Sequence, residues 1–252
     1  MFYSKKLKKE KSISHCFFNR LGGKSKGIYK SLNCGRGSLD KKKYVSKNLI
    51  IVSKKISNSY KKLILLNQIH SNKFFFLKDY KFKKKKLVGD ALITNKRKLI
   101  LGVLTADCVP ILIYDTKLKI ISAIHAGWKG AYKGIIKKVV KHLKKRGSES
   151  KNLIAAIGPC ISQNNYEVKD DFKSKLLQQS RKNKIFFRIV KNKTYFSLNK
   201  YVKYHLNSLG VKKIDIINKD TYNKKNNFFS ARRSIHNKEN DYGRNISLIM
   251  IN

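Results

Sequence analysis

Three apolar segments of nearly equal length, separated by short polar turns, lie in the centre of the sequence. They are predicted as strands over Leu99–Leu104, Val109–Tyr114 and Ile120–His125, running up, down and up again. Because a strand rises by about 3.3 Å per residue, legs of this length bring Cys108 and His125 to the same edge of one sheet. This meander constrains both the fold and the position of a functional site.

Other strands and four helices are interspersed along the chain. The helices carry apolar residues at helical spacing and are predicted to begin after Asp40 as cap, near Trp128, near Val168 and after Ser197 as cap. The remaining strand candidates are Lys62–Leu66, Phe74–Leu77, Asp90–Thr94, Asn152–Ile157, Phe186–Val190, Lys213–Ile217 and Ile246–Ile251. Several strands follow one another through short turns, so we expect an α/β (α+β mixed) fold with a mixed sheet. The even spread of apolar residues predicts a single domain over residues 1–252.

The formal net charge of +45 suggests at first a nucleic-acid-binding protein. However, the chain has fifty lysines and only nine arginines, and the lysines are scattered in short runs. Arginine is the residue that grips phosphate and guanine edges bidentately, so this surface is a poor device for specific recognition. We expect no specific nucleic acid partner, although a basic binding protein without catalysis stays as a less favoured alternative.

Cellular location is predicted from the N-terminus, the apolar segments and the cysteines. The N-terminus has no apolar run typical of a secretory signal, and the longest apolar stretch, Leu99–Tyr114, is too short and too polar to span a membrane. The four cysteines show no C-x-x-C spacing. These features predict a cytoplasmic protein without a membrane partner, and they do not determine its oligomeric state.

A cysteine and a histidine that meet at one sheet edge have two functional interpretations. With His70, which follows another apolar run, Cys108 and His125 can bind zinc and leave a fourth position open. Alternatively, Cys108 is the nucleophile and His125 the base of a cysteine hydrolase. A third interpretation is structural, since a lone cysteine packs as a small apolar group. Spacing alone does not decide among them.

Two acidic residues stand out because the chain has only fourteen. Asp107, beside Cys108, is predicted either to stabilise the turn or to accept a proton near a metal-bound water. Asp90 either caps a turn or orients an imidazole that binds a metal. The helix predicted near Trp128 adds free backbone N–H groups, which favour an anion at the same edge.

Seven sequence blocks together resemble the YfiH-type family, whose members carry the names multicopper polyphenol oxidoreductase, laccase-domain protein and purine nucleoside phosphorylase. The match extends over almost the whole chain, and its blocks occur in the family's order. They are His15–Ser25 with Ser31–Asn33, Gln68–Ser71, Gly89–Thr94, Thr105–Pro110, His125–Gly130, Ile157–Ile161, and Phe229–Arg233 with Gly243 and Arg244.

The resemblance implies a fold, a metal site and an activity. The fold it implies has mixed β-sheets in a sandwich-like core flanked by helices. His70, Cys108 and His125 are the implied zinc ligands, and the implied activities are phosphorolysis of adenosine, inosine, guanosine and methylthioadenosine, and deamination of adenosine. Purine nucleosides and phosphate are therefore the expected ligands. We assign catalytic roles to Cys108, His125 and Asp107, and substrate or phosphate binding to Arg20, Asn33, Gln68, Arg232 and Arg233.

Two features lie outside this assignment. The laccase name fits the residues badly, because a multicopper site needs many histidines, commonly in His-x-His pairs, and this chain has six histidines and no such pair. The basic loop at residues 78–87 either attracts phosphate-bearing substrates or is simply solvated, and we favour the second.

Overall fold

The computed structural model describes residues 1–58, 62–78 and 87–252. The loop at residues 78–87 lies mostly outside this part of the chain. The strands described are β1 Ile13–Phe17, β2 Leu63–Ile64, β3 Phe74–Phe76, β4 Ala91–Thr94, β5 Ile100–Thr105, β6 Val109–Asp115, β7 Ile120–Ala126, β8 Leu153–Ile157, β9 Glu167–Val168, β10 Phe187–Val190, β11 Lys193–Phe196, β12 Lys213–Ile216 and β13 Asn245–Ile251. The α-helices described are α1 Lys42–Ser57, α2 Trp128–Tyr132, α3 Ile135–Lys145, α4 Asp170–Gln179, α5 Leu198–Ser208 and α6 Ala231–His236.

Two mixed sheets form the centre of the molecule. One has four strands in the order β1-β13-β5-β2, and the other has six in the order β12-β8-β6-β7-β4-β3. Each contains antiparallel and parallel pairs: β6 is antiparallel to β7, for example, whereas β12 is parallel to β8. A separate three-stranded sheet, β10-β11-β9, lies outside this pair. The mixed-sheet prediction is confirmed.

The strands of the two sheets carry apolar residues on both of their faces. One face of each sheet therefore packs against the other sheet. In β6, Leu112 and Tyr114 point into a core that also contains Leu101 of β5 and Ile249 of β13. The opposite face of the six-stranded sheet is covered by α3 and α5, and that of the four-stranded sheet by α1. The layers are therefore helix, sheet, sheet and helix, which confirms a sandwich-like core flanked by helices in a single domain.

The predicted three-strand meander is only partly correct. β6 and β7 pair as expected, with Pro110 opposite His125, and this places Cys108 beside His125 at one sheet edge. β5, however, pairs with β13 and β2 in the other sheet. The chain therefore crosses from one sheet to the other at residues 106–108. The crossing lets apolar residues of β5 and of β6 face each other in the core between the sheets.

The predicted helices are found, with three corrections. Asp40 does not cap α1: its carboxylate accepts hydrogen bonds from Lys41 N and from Ser25 and Asn33. Ser197 lies at the N-cap of α5 but makes no side-chain cap bond. The helix expected from Trp128 onward is broken into α2 and α3 at Gly134, whose φ of 81° is left-handed.

Short elements were missed by the sequence pattern. β1, β9, β11 and α6 have no predicted counterpart, because two to six residues are too few to show a clear period. In the part of the chain described, no helix has both the length and the apolar character needed to cross a membrane.

We expect the buried imidazole of His15 to make folding stability depend on pH. Its Nε2 accepts a hydrogen bond from Ser4 N, and burial lowers its pKa from 6.5 to about 4 against the opposing charge of Asp215. The unfolded state therefore binds the proton more readily. The free energy of unfolding should therefore fall by on the order of 3 kcal/mol as the pH is lowered from 6.5 to about 4.

Urea unfolding at several pH values measures this effect. His15→Gln should flatten the dependence between pH 6.5 and 4, whereas the exposed control His236→Gln should keep it. Equal slopes in the wild type and in His15→Gln would assign the dependence to other groups.

Candidate metal centre

His70, Cys108 and His125 come together as one group. Their ligand atoms all lie within 4.8 Å of one another, and the distance from Cys108 Sγ to His70 Nε2 is 3.6 Å. His125 is buried, Cys108 is half-buried and His70 is exposed. The group therefore opens to solvent on the His70 side, where a further ligand or a substrate has access.

Three different parts of the fold supply these side chains. His125 is near the end of β7, Cys108 lies in the crossing between β5 and β6, and His70 belongs to the segment between β2 and β3. The backbone of His70 has a φ of 56° and that of Asp107 a φ of 82°, a region that non-glycine residues seldom adopt. Backbone strain of this kind is typical of functional sites.

Gly127 allows the ligands to approach one another. A Cβ atom at this position would lie 2.5 Å from Cδ2 of His70 and 2.9 Å from Sγ of Cys108, both shorter than real contacts. Gly130 has a related role, since a Cβ there would lie 3.0 Å from the carbonyl oxygen of Ser71. Glycine is therefore required where β7 turns into α2.

The buried carboxylate of Asp90 connects two of the ligands. Its Oδ1 accepts hydrogen bonds from Nδ1 of His125 at 2.8 Å and from the backbone N–H of His70 at 3.0 Å. Its Oδ2 accepts from the backbone N–H and the hydroxyl of Ser71 at 2.6 and 2.7 Å. Because a carboxylate can only accept, Nδ1 of His125 carries a proton, so Nε2 is the nitrogen that would bind a metal after losing its own proton.

The electrostatics of the group favour a thiolate. Burial alone raises the pKa of Cys108, but the charge of His125 and hydrogen bonds from both imidazoles outweigh burial and lower that pKa to about 7. Burial also lowers the pKa of His125, whereas Cys108 and Asp90 together raise it to about 9. Hydrogen bonds from His125 and Ser71 overcome burial and lower the pKa of Asp90 to about 2.

Asp107 anchors the chain around the site. Its carboxylate accepts hydrogen bonds from Thr221 Oγ1 at 2.7 Å, from Ser230 Oγ at 2.9 Å and from the backbone N–H of Arg232 at 2.7 Å. Burial raises its pKa against these hydrogen bonds. This arrangement agrees with the turn-stabilising interpretation, and the catalytic role of Asp107 stays a prediction.

Arg232 lies against Tyr166, and Tyr166 interacts electrostatically with the thiol of Cys108. The guanidinium of Arg232 is 5.5 Å from the ring centre of Tyr166 and donates one hydrogen bond, to the carbonyl of Glu167. Burial raises the pKa of Tyr166, and the neighbouring charge of Cys108 adds to this effect. Tyr166 was missed by the sequence analysis, because no motif or period distinguished it among thirteen tyrosines.

The other predicted binding residues are engaged elsewhere. The amide of Gln68 bonds to both the N–H and the carbonyl of Leu104, and that of Asn33 bonds to Asp40 and to the N–H of Arg244. Arg20 and Arg233 line a separate cavity of about 400 Å³, whose lining contains none of the three metal-ligating side chains. Their roles in binding substrate or phosphate stay predictions.

The chain is similar to known proteins over most of its length. Residues 14–252 match the model of the family described as multi-copper polyphenol oxidoreductase laccase. A protein of Rickettsia conorii named purine nucleoside phosphorylase is 37% identical over 219 residues, which are 85% of this chain and 89% of the relative. A protein of the same name from Haemophilus influenzae is 31% identical over 242 residues, 95% of this chain and 94% of the relative.

Solved structures show the same fold. A Neisseria meningitidis protein has a TM-score of 0.85 at 27% identity, covering 96% of this chain and 95% of its own. The YfiH protein of Bacillus licheniformis has a TM-score of 0.86 at 26% identity, covering 95% and 93%. The site thus lies in a YfiH-type fold. The chain belongs to the multi-copper polyphenol oxidoreductase laccase family, and the resemblance of its motifs to YfiH-type proteins is confirmed.

Gly127→Ala should strongly weaken metal binding. The added methyl group overlaps His70 and Cys108, so these two ligands must separate. We expect the affinity for Zn²⁺, measured by competition with a chromogenic chelator, to fall by at least about a hundredfold. Gly37→Ala is the matched control, because a Cβ there meets nothing within 4 Å. Equal affinity in both variants would contradict the proposed convergence of the ligands.

Asp90→Asn should lower Zn²⁺ affinity by about ten- to a hundredfold, because an amide is neutral and accepts through only one oxygen. It cannot hold His125, His70 and Ser71 together as the carboxylate does. The same competition assay measures the change, with the exposed Asp170→Asn as control. An unchanged affinity in Asp90→Asn would mean that the ligands hold their positions without Asp90.

Proposed function

We propose that the protein is a zinc-dependent purine nucleoside phosphorylase that also deaminates adenosine. Adenosine, inosine, guanosine and methylthioadenosine are the proposed nucleosides. The observation that carries this proposal is the group of one thiol and two imidazoles, His70, Cys108 and His125, within 4.8 Å on a solvent-accessible face. The relatives from Rickettsia conorii and Haemophilus influenzae, both named purine nucleoside phosphorylase, support the same activity.

The donor set favours zinc. In a tetrahedral zinc site, a thiolate sulfur and an imidazole nitrogen are about 3.6 Å apart, as expected from Zn–S and Zn–N bonds of about 2.3 and 2.0–2.1 Å. The distance from Cys108 Sγ to His70 Nε2 is 3.6 Å. Zinc held by these three side chains would keep a fourth position for water, and solvent can reach the group because His70 is exposed. This pattern is typical of catalytic zinc and differs from the many histidines of a multicopper site.

When bound, zinc would supply a Lewis acid that activates water for attack on C6 of adenine. The chain's own residues hold that chemistry in place. Asp90 holds a proton of His125 on Nδ1, so Nε2 would be the nitrogen that holds the zinc. Asp107, whose pKa is raised by burial, is the proposed proton acceptor beside Cys108.

Phosphorolysis additionally needs a cation near the sugar. Arg232 is the predicted phosphate contact, because its guanidinium lies over the ring of Tyr166, which itself interacts electrostatically with Cys108. It donates a single described hydrogen bond, to the carbonyl of Glu167, and therefore has donors left for an oxyanion. Asn33 and Gln68 complete the proposed substrate-binding set.

A second candidate function is a cysteine hydrolase. Cys108, His125 and Asp90 supply a thiol, an imidazole and a carboxylate. The imidazole interacts with the thiol, and its Nδ1 lies 2.8 Å from the Asp90 carboxylate. This is the arrangement of a nucleophile, its base and the group that orients the base. A hydrolase of this kind should lose activity on thiol alkylation and keep it after metal removal.

Metal content and adenosine turnover test the leading proposal. We expect about one zinc per chain, adenine and ribose 1-phosphate as products with phosphate, and inosine without it. Cys108→Ser should lose at least about a hundredfold in turnover together with its zinc, because it removes the thiolate ligand. Elemental analysis and chromatography of the products measure both.

Cys16→Ala is the matched control, since this buried cysteine lies outside the ligand group and should leave zinc and turnover unchanged. Absence of zinc in protein purified without chelators, together with unchanged turnover in Cys108→Ser, would contradict the proposal. Chelator-resistant, alkylation-sensitive hydrolysis would favour the cysteine hydrolase.

A further inference from the structure

The outer edge of the three-stranded sheet is open to solvent. The strand order β10-β11-β9 makes β10 an edge strand, and no other strand of the described chain pairs with it. A two-residue turn joins β10 to β11, and the φ values of its residues, 47° at Lys191 and 60° at Asn192, are typical of a tight hairpin. An edge of this kind presents backbone groups to which an additional strand can bond.

The pairing of the hairpin shows which backbone groups face outward. Val190 and Lys193 flank the two-residue turn and exchange hydrogen bonds, whereas the next pair, Ile189 and Thr194, does not. The N–H and C=O of Ile189 therefore point away from β11. Within the parts of the chain that the structure describes, neither group has a hydrogen-bond partner outside the hairpin. A free donor and a free acceptor thus lie on the edge.

Apolar side chains are concentrated at the same edge. Ile185 is 69% exposed, Ile189 is 60% exposed and Val190 is 41% exposed. These three belong to the thirteen large apolar residues that are exposed in the described chain, yet they fall within a single short segment. Single exposed apolar residues are ordinary on a protein surface, but a group of them is typical of an interaction site.

The two faces of β10 differ in chemistry. Phe187 and Ile189 lie on one face, where the ring of Phe187 is 5.0 Å from that of Phe196. Arg188 lies on the opposite face, with its guanidinium 6.0 Å from the ring centre of Tyr195. A strand added to this edge would therefore meet apolar side chains on one face and a cation on the other.

The charge at this edge is of one sign. Residues 181–193 contain two arginines and four lysines and no acidic residue. Among these six cations, and within the described chain, only Lys193 has a carboxylate within 4.0 Å, that of Glu167. A second copy of the protein would bring the same cations to the edge, which is unfavourable, whereas an acidic segment complements them.

We propose that the edge of β10 binds an extended acidic segment of another protein, which adds a fourth strand to the β10-β11-β9 sheet. The backbone of Ile189 supplies the pairing, apolar residues of the partner cover Ile189, and acidic residues on its other face approach Arg188. None of the three metal ligands lies in this sheet, so the interaction does not require the metal.

Fluorescence anisotropy with a labelled heptapeptide of alternating glutamate and valine, at physiological ionic strength, tests the edge. We expect saturable binding of one peptide per chain that persists after treatment with a chelator. Two further peptides are N-methylated, one at its glutamates and one at its valines, so that each loses the N–H groups of one edge only. One of them should bind at least about tenfold more weakly than the other. Equal affinities would overturn the proposal, because they indicate attraction by charge alone.

Variants of the protein locate the binding. Ile189→Pro removes the outward N–H without changing the charge, and Ile189→Asp places a negative charge on the edge. Each should weaken peptide binding by at least about tenfold. Ile235→Asp on α6 is the matched control, because this side chain is 65% exposed and the change in charge is the same. It should keep wild-type affinity.

Circular dichroism checks that each variant is folded. The proposal is overturned if Ile235→Asp weakens binding as much as Ile189→Asp, or if both variants at Ile189 bind normally. Sedimentation velocity without peptide compares the wild type with Ile189→Asp, and we expect equal sedimentation coefficients. A wild-type dimer that Ile189→Asp dissociates would assign the edge to a second copy of the chain and would also overturn the proposal.

Discussion

The carboxylate of Asp90 is the interaction on which the candidate metal centre depends. It is fully buried, yet its two oxygens accept hydrogen bonds from His125, His70 and Ser71. A buried charge is stable only when its hydrogen-bonding capacity is met, so removing any one donor would leave part of that charge uncompensated. The same requirement fixes where the β7 strand and the His70 segment lie relative to each other.

The sandwich of two sheets makes this arrangement possible. The pairing of β6 with β7 brings Cys108 beside His125, and the crossing between the sheets gives Cys108 a turn instead of a straight strand. Gly127 then leaves space for His70 to approach from outside both strands. Three segments distant in sequence thus meet at the edge of the six-stranded sheet.

The buried carboxylate of Asp107 connects the segment that carries Cys108 to the lining of a cavity, because it accepts a hydrogen bond from Ser230. On one side is the thiol of Cys108 with its two imidazoles, and on the other is the cavity with Arg20 and Arg233. Asp107 is bonded to Ser230 and to the backbone of Arg232, so it connects the β5–β6 crossing to α6. This link gives the C-terminal motif a structural reason to lie near the metal centre.

The sequence by itself determined the apolar strands, the mixed fold and the meeting of Cys108 with His125, because strand period and turn length are local properties. The position of His70 after another apolar run added the third candidate ligand. Only the tertiary structure decided that β5 belongs to the other sheet, that α2 and α3 are separate helices, and that Arg20 and Arg233 face a cavity away from the metal ligands. These outcomes depend on which surfaces pack together, and contacts between distant segments leave no period in the sequence.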